Sequence, residues 1–180
     1  DATWKNPLPG FDFIPGADHP VTQVSWNDAI AFCKHYGFAL PTELQWERAC
    51  RAGTDTRFYW GDAPAGGQGR LNAAGADRMP KSLEFSETFP FADGYPFTSP
   101  VGSLAPNGYG LFDMLGNVWE WTSTQSGSGP RRVLRGGGWI NSPAGCRSAH
   151  RLADAPSFAV DNLGFRPVLA PRSGGGARLA

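Results

Sequence analysis

The chain has 180 residues, 41% of them hydrophobic, which suits one domain with a single core. Its 16 basic and 16 acidic side chains cancel without forming a Lys/Arg stripe, which excludes the phosphate-backbone footprint of a nucleic-acid binder. No apolar run approaches the ~18 residues of a membrane span, and the N-terminus lacks a basic-then-apolar signal pattern.

Glycine (24) and proline (16) are abundant, but seven Trp and twelve Phe are spread among them, so the composition reads as a loop-rich globule. The first predicted helix starts at Ser25, whose side chain can cap it with Asp28 three residues on. Ile30, Phe32 and Cys33 supply its apolar contacts, and Gly37 fits the C-cap. The second starts at Thr42 with Gln45 completing a capping box; Leu44 and Trp46 to Cys50 form its apolar stripe, and Gly53 ends it.

Residues 54–109 show no sustained period of 2 or 3.6 and carry Gly, Pro, Asn and Asp at short intervals. So long an irregular stretch needs a tie, either a bound ion or aromatic anchors such as Phe58, Tyr59 and Trp60. Strand-like runs follow at 118–122, 132–134 and 165–169. Helices first and strands last predict an α+β domain over 1–170, with two helices, a small, mostly antiparallel sheet and long irregular loops. The Gly-rich residues 171–180 read as a flexible tail. The three cysteines, Cys33, Cys50 and Cys146, lack zinc-site spacing and are either buried free thiols or include one structural disulfide.

The segments Pro20-Val21-Thr22-Gln23-Val24-Ser25-Trp26-Asn27-Asp28-Ala29, Leu40-Pro41-Thr42-Glu43-Leu44-Gln45-Trp46-Glu47, Asn107-Gly108-Tyr109-Gly110-Leu111-Phe112-Asp113-Met114, Gly116-Asn117-Val118-Trp119-Glu120-Trp121-Thr122, Arg135-Gly136-Gly137 and Asn162-Leu163-Gly164-Phe165-Arg166 resemble, in order, the motifs of the formylglycine-generating enzyme (sulfatase-modifying factor) family. The resemblance implies a C-type-lectin-like fold. Most members open with a further strand-bearing stretch that residues 1–16 match poorly. Trp26, Trp119 and Trp121 read as core anchors.

The resemblance also implies two structural calcium sites. One would use the Asn72 side chain, the Ala73 carbonyl, the Asp93 side chain and the Tyr95 carbonyl; the other would use Asn117, Val118 and Glu120. Hard oxygen ligands spread over loops suit Ca²⁺, although Asn72 and Asp93 can equally serve as turn caps. In the family's enzymes, two cysteines after Arg-Gly-Gly hold Cu(I). Counting forward from Arg135 puts Asn141 and Cys146 there; counting back from Asn162 makes the loop about three residues short, and Cys146 then matches neither ligand. Either way a thiolate is missing, so no copper is expected. The back-count leaves a Cys50–Cys146 disulfide open, against two unpaired core thiols. His19, His35 and His150 lack the spacing of the iron site found in related sulfoxide synthases.

The chain is also similar to the variable proteins of diversity-generating retroelements, which share this fold. Their rewritten stretch lies between Arg-Gly-Gly-x-Trp and Leu/Ile-Gly-Phe-Arg with a fixed Arg-Ser-Ala-x-Arg, here Arg135 to Trp139, Leu163 to Arg166 and Arg147-Ser148-Ala149-His150-Arg151. Adenine-directed rewriting of Asn codons never yields Glu, Lys, Met, Gln or Trp. Residues 140–162 contain none of these, although they make up 21 of the 180 residues. The segment instead mixes Ile140, Ser142, Pro143, Ala144, Leu152, Phe158 and Val160 without helix or strand period.

This pattern predicts a non-catalytic, receptor-type binding surface for a protein or other surface ligand, within about 139–162. Its residues would be Ile140, Asn141, Ser142, Ala144, Gly145, His150, Leu152, Asp154, Ser157, Phe158, Val160 and Asp161, with Leu152 and Phe158 as anchors and His150 and Asp154 giving polar specificity. The alternatives are ordinary core packing around the loop, a formylglycine-type oxidoreductase and an accessory structural domain.

Overall fold

The computed structural model describes residues 2–76 and 87–169. Helix α1 (Trp26–Tyr36) begins at the Ser25 capping box and ends on left-handed Gly37. Helix α2 (Glu43–Arg51) begins at the reciprocal Thr42–Gln45 box. Its C-cap is Ala52, one residue before the glycine expected to end it. The apolar stripes differ in detail from expectation. Ala29 and Cys33 are the buried positions of α1, and Trp46 and Cys50 those of α2, whereas Phe32 and Leu44 face solvent, Leu44 being 83% exposed.

Among the described residues, six strands complete the α+β architecture: β1 (Phe38–Ala39), β2 (Trp119–Gln125), β3 (Arg132–Arg135), β4 (Arg151–Asp154), β5 (Leu163–Phe165) and β6 (Val168–Leu169). The main sheet has the order β4-β3-β2-β5, with β2 and β5 parallel and the other pairs antiparallel; β1 and β6 form a separate antiparallel pair. Strand β4 lies inside the stretch expected to have no strand period. Its first two residues, Arg151 and Leu152, are exposed, so backbone pairing with β3 holds it where an alternating apolar pattern does not.

Because side chains alternate across a strand, the main sheet has two distinct faces. Trp119, Trp121, Leu134 and Leu163 pack with Ala29 and Cys33 of α1. On the other face Glu120 and Arg135 meet α2, where the Trp46 indole donates to Glu120 Oε2 at 2.7 Å. A second cluster joins Trp46 and Cys50 to Phe58, Tyr59, Leu71, Phe89, Phe91, Met114 and Cys146. The aromatic anchors expected in 54–109 are therefore present: Phe58 stacks on Trp60 at 4.8 Å, and the Tyr59 hydroxyl donates to the Arg70 carbonyl. Residues 171–180, read as a tail, lie outside the described residues.

Arg135 is 0% exposed. Its guanidinium donates to the Glu47 carboxylate and to the carbonyls of Ser148 and His150, lies 3.8 Å from Glu43 and sits over the Trp46 ring. An Arg135→Met variant would strand those carbonyls and leave Glu47 without its buried partner. The expected loss is about 3–5 kcal/mol of unfolding free energy, read from urea denaturation followed by tryptophan fluorescence. A loss below about 1 kcal/mol would show that Arg51, already paired with Glu47 at 2.8 Å, and solvent together satisfy it.

Candidate ligand-binding site

The turn after β3 closes on the sulfur of Cys146. Gly137 is left-handed, and a Cβ there would lie 2.7 Å from Cys146 Sγ, so only glycine fits. Asn141 then ties the loop: its side-chain oxygen accepts from the Gly138 amide at 2.8 Å and from the Trp119 indole at 2.9 Å. The Ser142 carbonyl accepts from the Gly145 and Cys146 amides. These bonds are local and independent of most side chains in the segment.

Trp119, held in this way, forms a wall of an open depression of about 410 Å³. The rest of the wall comes from Leu134 on β3, Leu152 to Asp154 on β4, Phe158, Val160, Asp161 and Asn162 in the following loop, and Leu163 on β5. Leu152 and Phe158 keep 46% and 36% of their surface exposed. Of the predicted surface residues, the structure gathers Leu152, Asp154, Phe158, Val160 and Asp161 here, and His150 joins through its ring against Trp119 at 5.6 Å.

The other predicted positions lie elsewhere. Ile140 packs beside Leu8, Phe97 and Trp139, and Asn141 is structural. Ser142 and Gly145 belong to the turn, Ala144 borders a separate cleft with Arg51, Arg57 and Arg147, and Ser157 is simply exposed. Sequence reasoning missed Trp119, Leu134, Ala153, Asn162 and Leu163 as lining. Trp119 was read as a core anchor, and it is one as well as a wall. Its position two residues before Trp121 on one strand face was the available signal.

His150 is half-buried, and its pKa is lowered first by burial, then by the Arg147 and Arg135 guanidinium groups; its Nδ1 lies 3.5 Å from Arg147. The expected oxygen-ligand residues divide in two. Asp93 accepts from the Ala73 amide at 2.8 Å and the Tyr95 amide at 2.9 Å, which brings Asn72, Ala73, Asp93 and Tyr95 together. Asn72 is buried; its amide nitrogen donates to the Phe97 carbonyl, but its Oδ1 has no hydrogen-bond partner among the described residues. Such an orphaned acceptor fits an oxygen-seeking cation.

In the second expected arrangement the side chains have protein partners. Asn117 Oδ1 accepts from the Ser99 amide and its amide nitrogen donates back to the Ser99 carbonyl, while Glu120 is engaged by Trp46 and by Arg166 at 2.8 Å. The Glu120 carboxylate is thus already paired with a guanidinium. No cluster of three His, Cys, Asp or Glu side chains occurs among the described residues.

The cysteines are free. Burial pushes the Cys50 thiol up to about 12 and raises Cys146 as well, and the two donate to the Met114 and Asn141 carbonyls. Cys146 is 0% exposed, and the residue five before it is Asn141, already bound to Trp119. These residues do not fit a two-thiolate copper site.

The sequence matches the sulfatase-modifying factor enzyme 1-like domain over residues 2–171. The chain belongs to the formylglycine-generating enzyme family. It is 35% identical to the formylglycine-generating enzyme of Mus musculus, over 92% of this chain and 48% of that protein. It is 39% identical to the inactive Cα-formylglycine-generating enzyme 2 of Bos taurus, over 92% and 55%. The chain thus spans about half the length of these relatives. Variable protein 1 of Treponema denticola superposes with a TM-score of 0.72 at 24% identity, covering 93% of this chain and 80% of that one. The two helices, small sheets and long loops are therefore the C-type-lectin-like fold of this family. Membership by itself carries no activity, since its relatives include a named enzyme and a named inactive form.

Two outcomes follow. Native protein at pH 8 should leave all three thiols unreactive toward Ellman's reagent over minutes and release them on unfolding; rapid native labelling of Cys146 would contradict its burial. For His150 the folded pKa lies below the unfolded one, so stability is full above about pH 6.5 and falls as pH drops through the folded value. His150→Gln should flatten that part of the pH–stability curve, measured by urea unfolding between pH 7.5 and 5.

Proposed function

We propose that this chain is a non-catalytic, receptor-type ligand-binding member of the formylglycine-generating enzyme family, with a C-terminal segment diversified by a retroelement. One observation carries the reading: segment 139–162 supplies no accessible thiol, and its own side chains wall an open apolar depression. Exposed apolar side chains held on a rigid frame are what partner recognition uses. Leu152 and Phe158 are the anchors, and Ser157, Val160 and Asp154 tune the choice of partner. The ligand is a protein or other surface ligand. The residue alphabet of 140–162 supports the origin of the diversity, and a near-identical template repeat with adenines at these codons beside a reverse-transcriptase gene is the expected genomic setting.

A library varied at Leu152, Ser157, Phe158 and Val160 tests the binding role. Members should keep the parent's cooperative unfolding within about 1 kcal/mol, and display selection against unrelated proteins should yield binders of changed specificity. Loss of folding in most members would assign these side chains to the core and overturn the reading. Titration with Cu(I) and a cysteine-containing peptide should give no oxygen consumption above background; turnover would restore the oxidase.

Calcium is proposed at one place, with Asn72 Oδ1, the Ala73 and Tyr95 carbonyls and the Asp93 carboxylate as ligands. Its supporting observation is the orphaned Asn72 Oδ1. Adding 1,000 Kd of Ca²⁺ should stabilise the fold by about 4 kcal/mol, and Asn72→Leu should abolish that increment. An unchanged Tm with Ca²⁺ and with EDTA would show that Asn72 and Asp93 only cap turns.

A further inference from the structure

The depression described above has a pronounced charge asymmetry. Two carboxylates line it, Asp154 and Asp161, and no Lys or Arg side chain does; His150 touches only the Trp119 ring at its margin. Neither carboxylate forms an ion pair among the described residues. Asp154 accepts only from the adjacent Ala155 amide.

The nearby arginines are occupied elsewhere. Arg132 is the cross-strand partner of Asp154, yet its guanidinium lies 4.2 Å from the Trp26 ring centre and donates to the Ser123 carbonyl. Arg151 forms a two-pronged pair with Glu43 at 2.7 and 3.0 Å. Arg147 donates to the Ala144 carbonyl and borders the separate cleft.

Asp161 is half-buried, and burial raises its pKa, partly offset by its own amide and that of Asn162. A carboxylate in that position gains from a cation that arrives with its own apolar stem. The ring of Phe158, 36% exposed, favours the same chemistry, because an aromatic face attracts cations. The remaining walls, Leu134, Leu152, Val160 and Leu163, accept hydrocarbon.

We infer that this depression takes a basic side chain, an ammonium or guanidinium on an apolar stem, presented by a partner protein, with Asp154 and Asp161 meeting the charge. The inference rests on the ligand-binding reading and gives its partner a chemistry. A volume of about 410 Å³ suits one long side chain and not a folded element.

The test uses the whole chain and three probes: the peptide acetyl-Leu-Lys-Leu-amide, the same peptide with Nζ acetylated, and n-pentylammonium. Amide chemical shifts at residues 152–163 and tryptophan fluorescence report binding. The lysine peptide should bind at least fivefold more tightly than its acetylated form, which keeps the stem and loses the charge. It should also bind more tightly than n-pentylammonium. In the doubly isosteric variant Asp154→Asn/Asp161→Asn the lysine preference should fall to parity, with the fold checked by circular dichroism.

Equal binding of the acetylated peptide overturns the charge inference and leaves the ligand-binding reading standing. Tighter binding of n-pentylammonium overturns the protein source. A lysine preference that survives in the double variant removes the two aspartates from the account. If no probe shifts 152–163, the inference falls, and the ligand-binding reading then stands or falls on the library selection.

Discussion

A buried guanidinium holds the C-terminal half of this molecule together. Desolvating Arg135 costs several kcal/mol, and the cost is offset by Glu47, by Glu43 nearby, by two backbone carbonyls and by the Trp46 ring. The carbonyls belong to Ser148 and His150, so α2, β3 and the loop entering β4 meet at one charge. Neither bond uses a side chain of the surface segment. The backbone of the segment is therefore fixed by something that does not change when its side chains do. That separation is what a binding surface with replaceable contacts requires. Asn141 and Ile140 fall on the scaffold side of the division, and Leu152, Phe158 and Val160 on the other.

The same economy runs through the irregular half of the chain, where asparagines and an aspartate stand in for a sheet ladder. Asn107 donates to the carbonyls of Ala49 and Cys50 and accepts from the amides of Tyr109 and Leu111. Asn117 exchanges a pair of bonds with Ser99, and Asp93 gathers the amides of Ala73 and Tyr95. Buried backbone groups must be paired, and a short amide side chain can pair two or more strands of loop at once. Asn72 alone among these is left with an unsatisfied oxygen. Its contrast with Asn117 is instructive: the same residue type, read from sequence as the same kind of ligand, is satisfied by protein in one place and not in the other.

What could be read from the sequence follows from how local each cause is. Both capping boxes are fixed by residues three apart, and α1 and α2 begin where Ser25 and Thr42 require. Strands β2 and β3 carry their own β-branched and aromatic residues. Strand β4 carries no such pattern, because Arg151 and Leu152 are exposed and its register comes from β3. The solvent-facing Leu44 shows the limit of periodicity in a nine-residue helix. Within the site, Leu152 and Phe158 were legible as apolar residues out of period. Trp119 was not, because it is a buried core residue that borders the depression, and only the packing places it there.

Cys146 is buried away from the depression. Asn141 touches both: its carbonyl accepts the Cys146 thiol, and its side chain holds the Trp119 indole that walls the depression. The sulfur lies beneath Gly137 in the cluster with Trp46 and Cys50 and is absent from the lining. Bringing it to the surface would mean opening that cluster and breaking the turn bonds of Ser142. On the proposed reading, a ligand seated against Leu152 and Phe158 meets the sheet edge and two carboxylates, and Asn141 lies between it and the thiol of the loop.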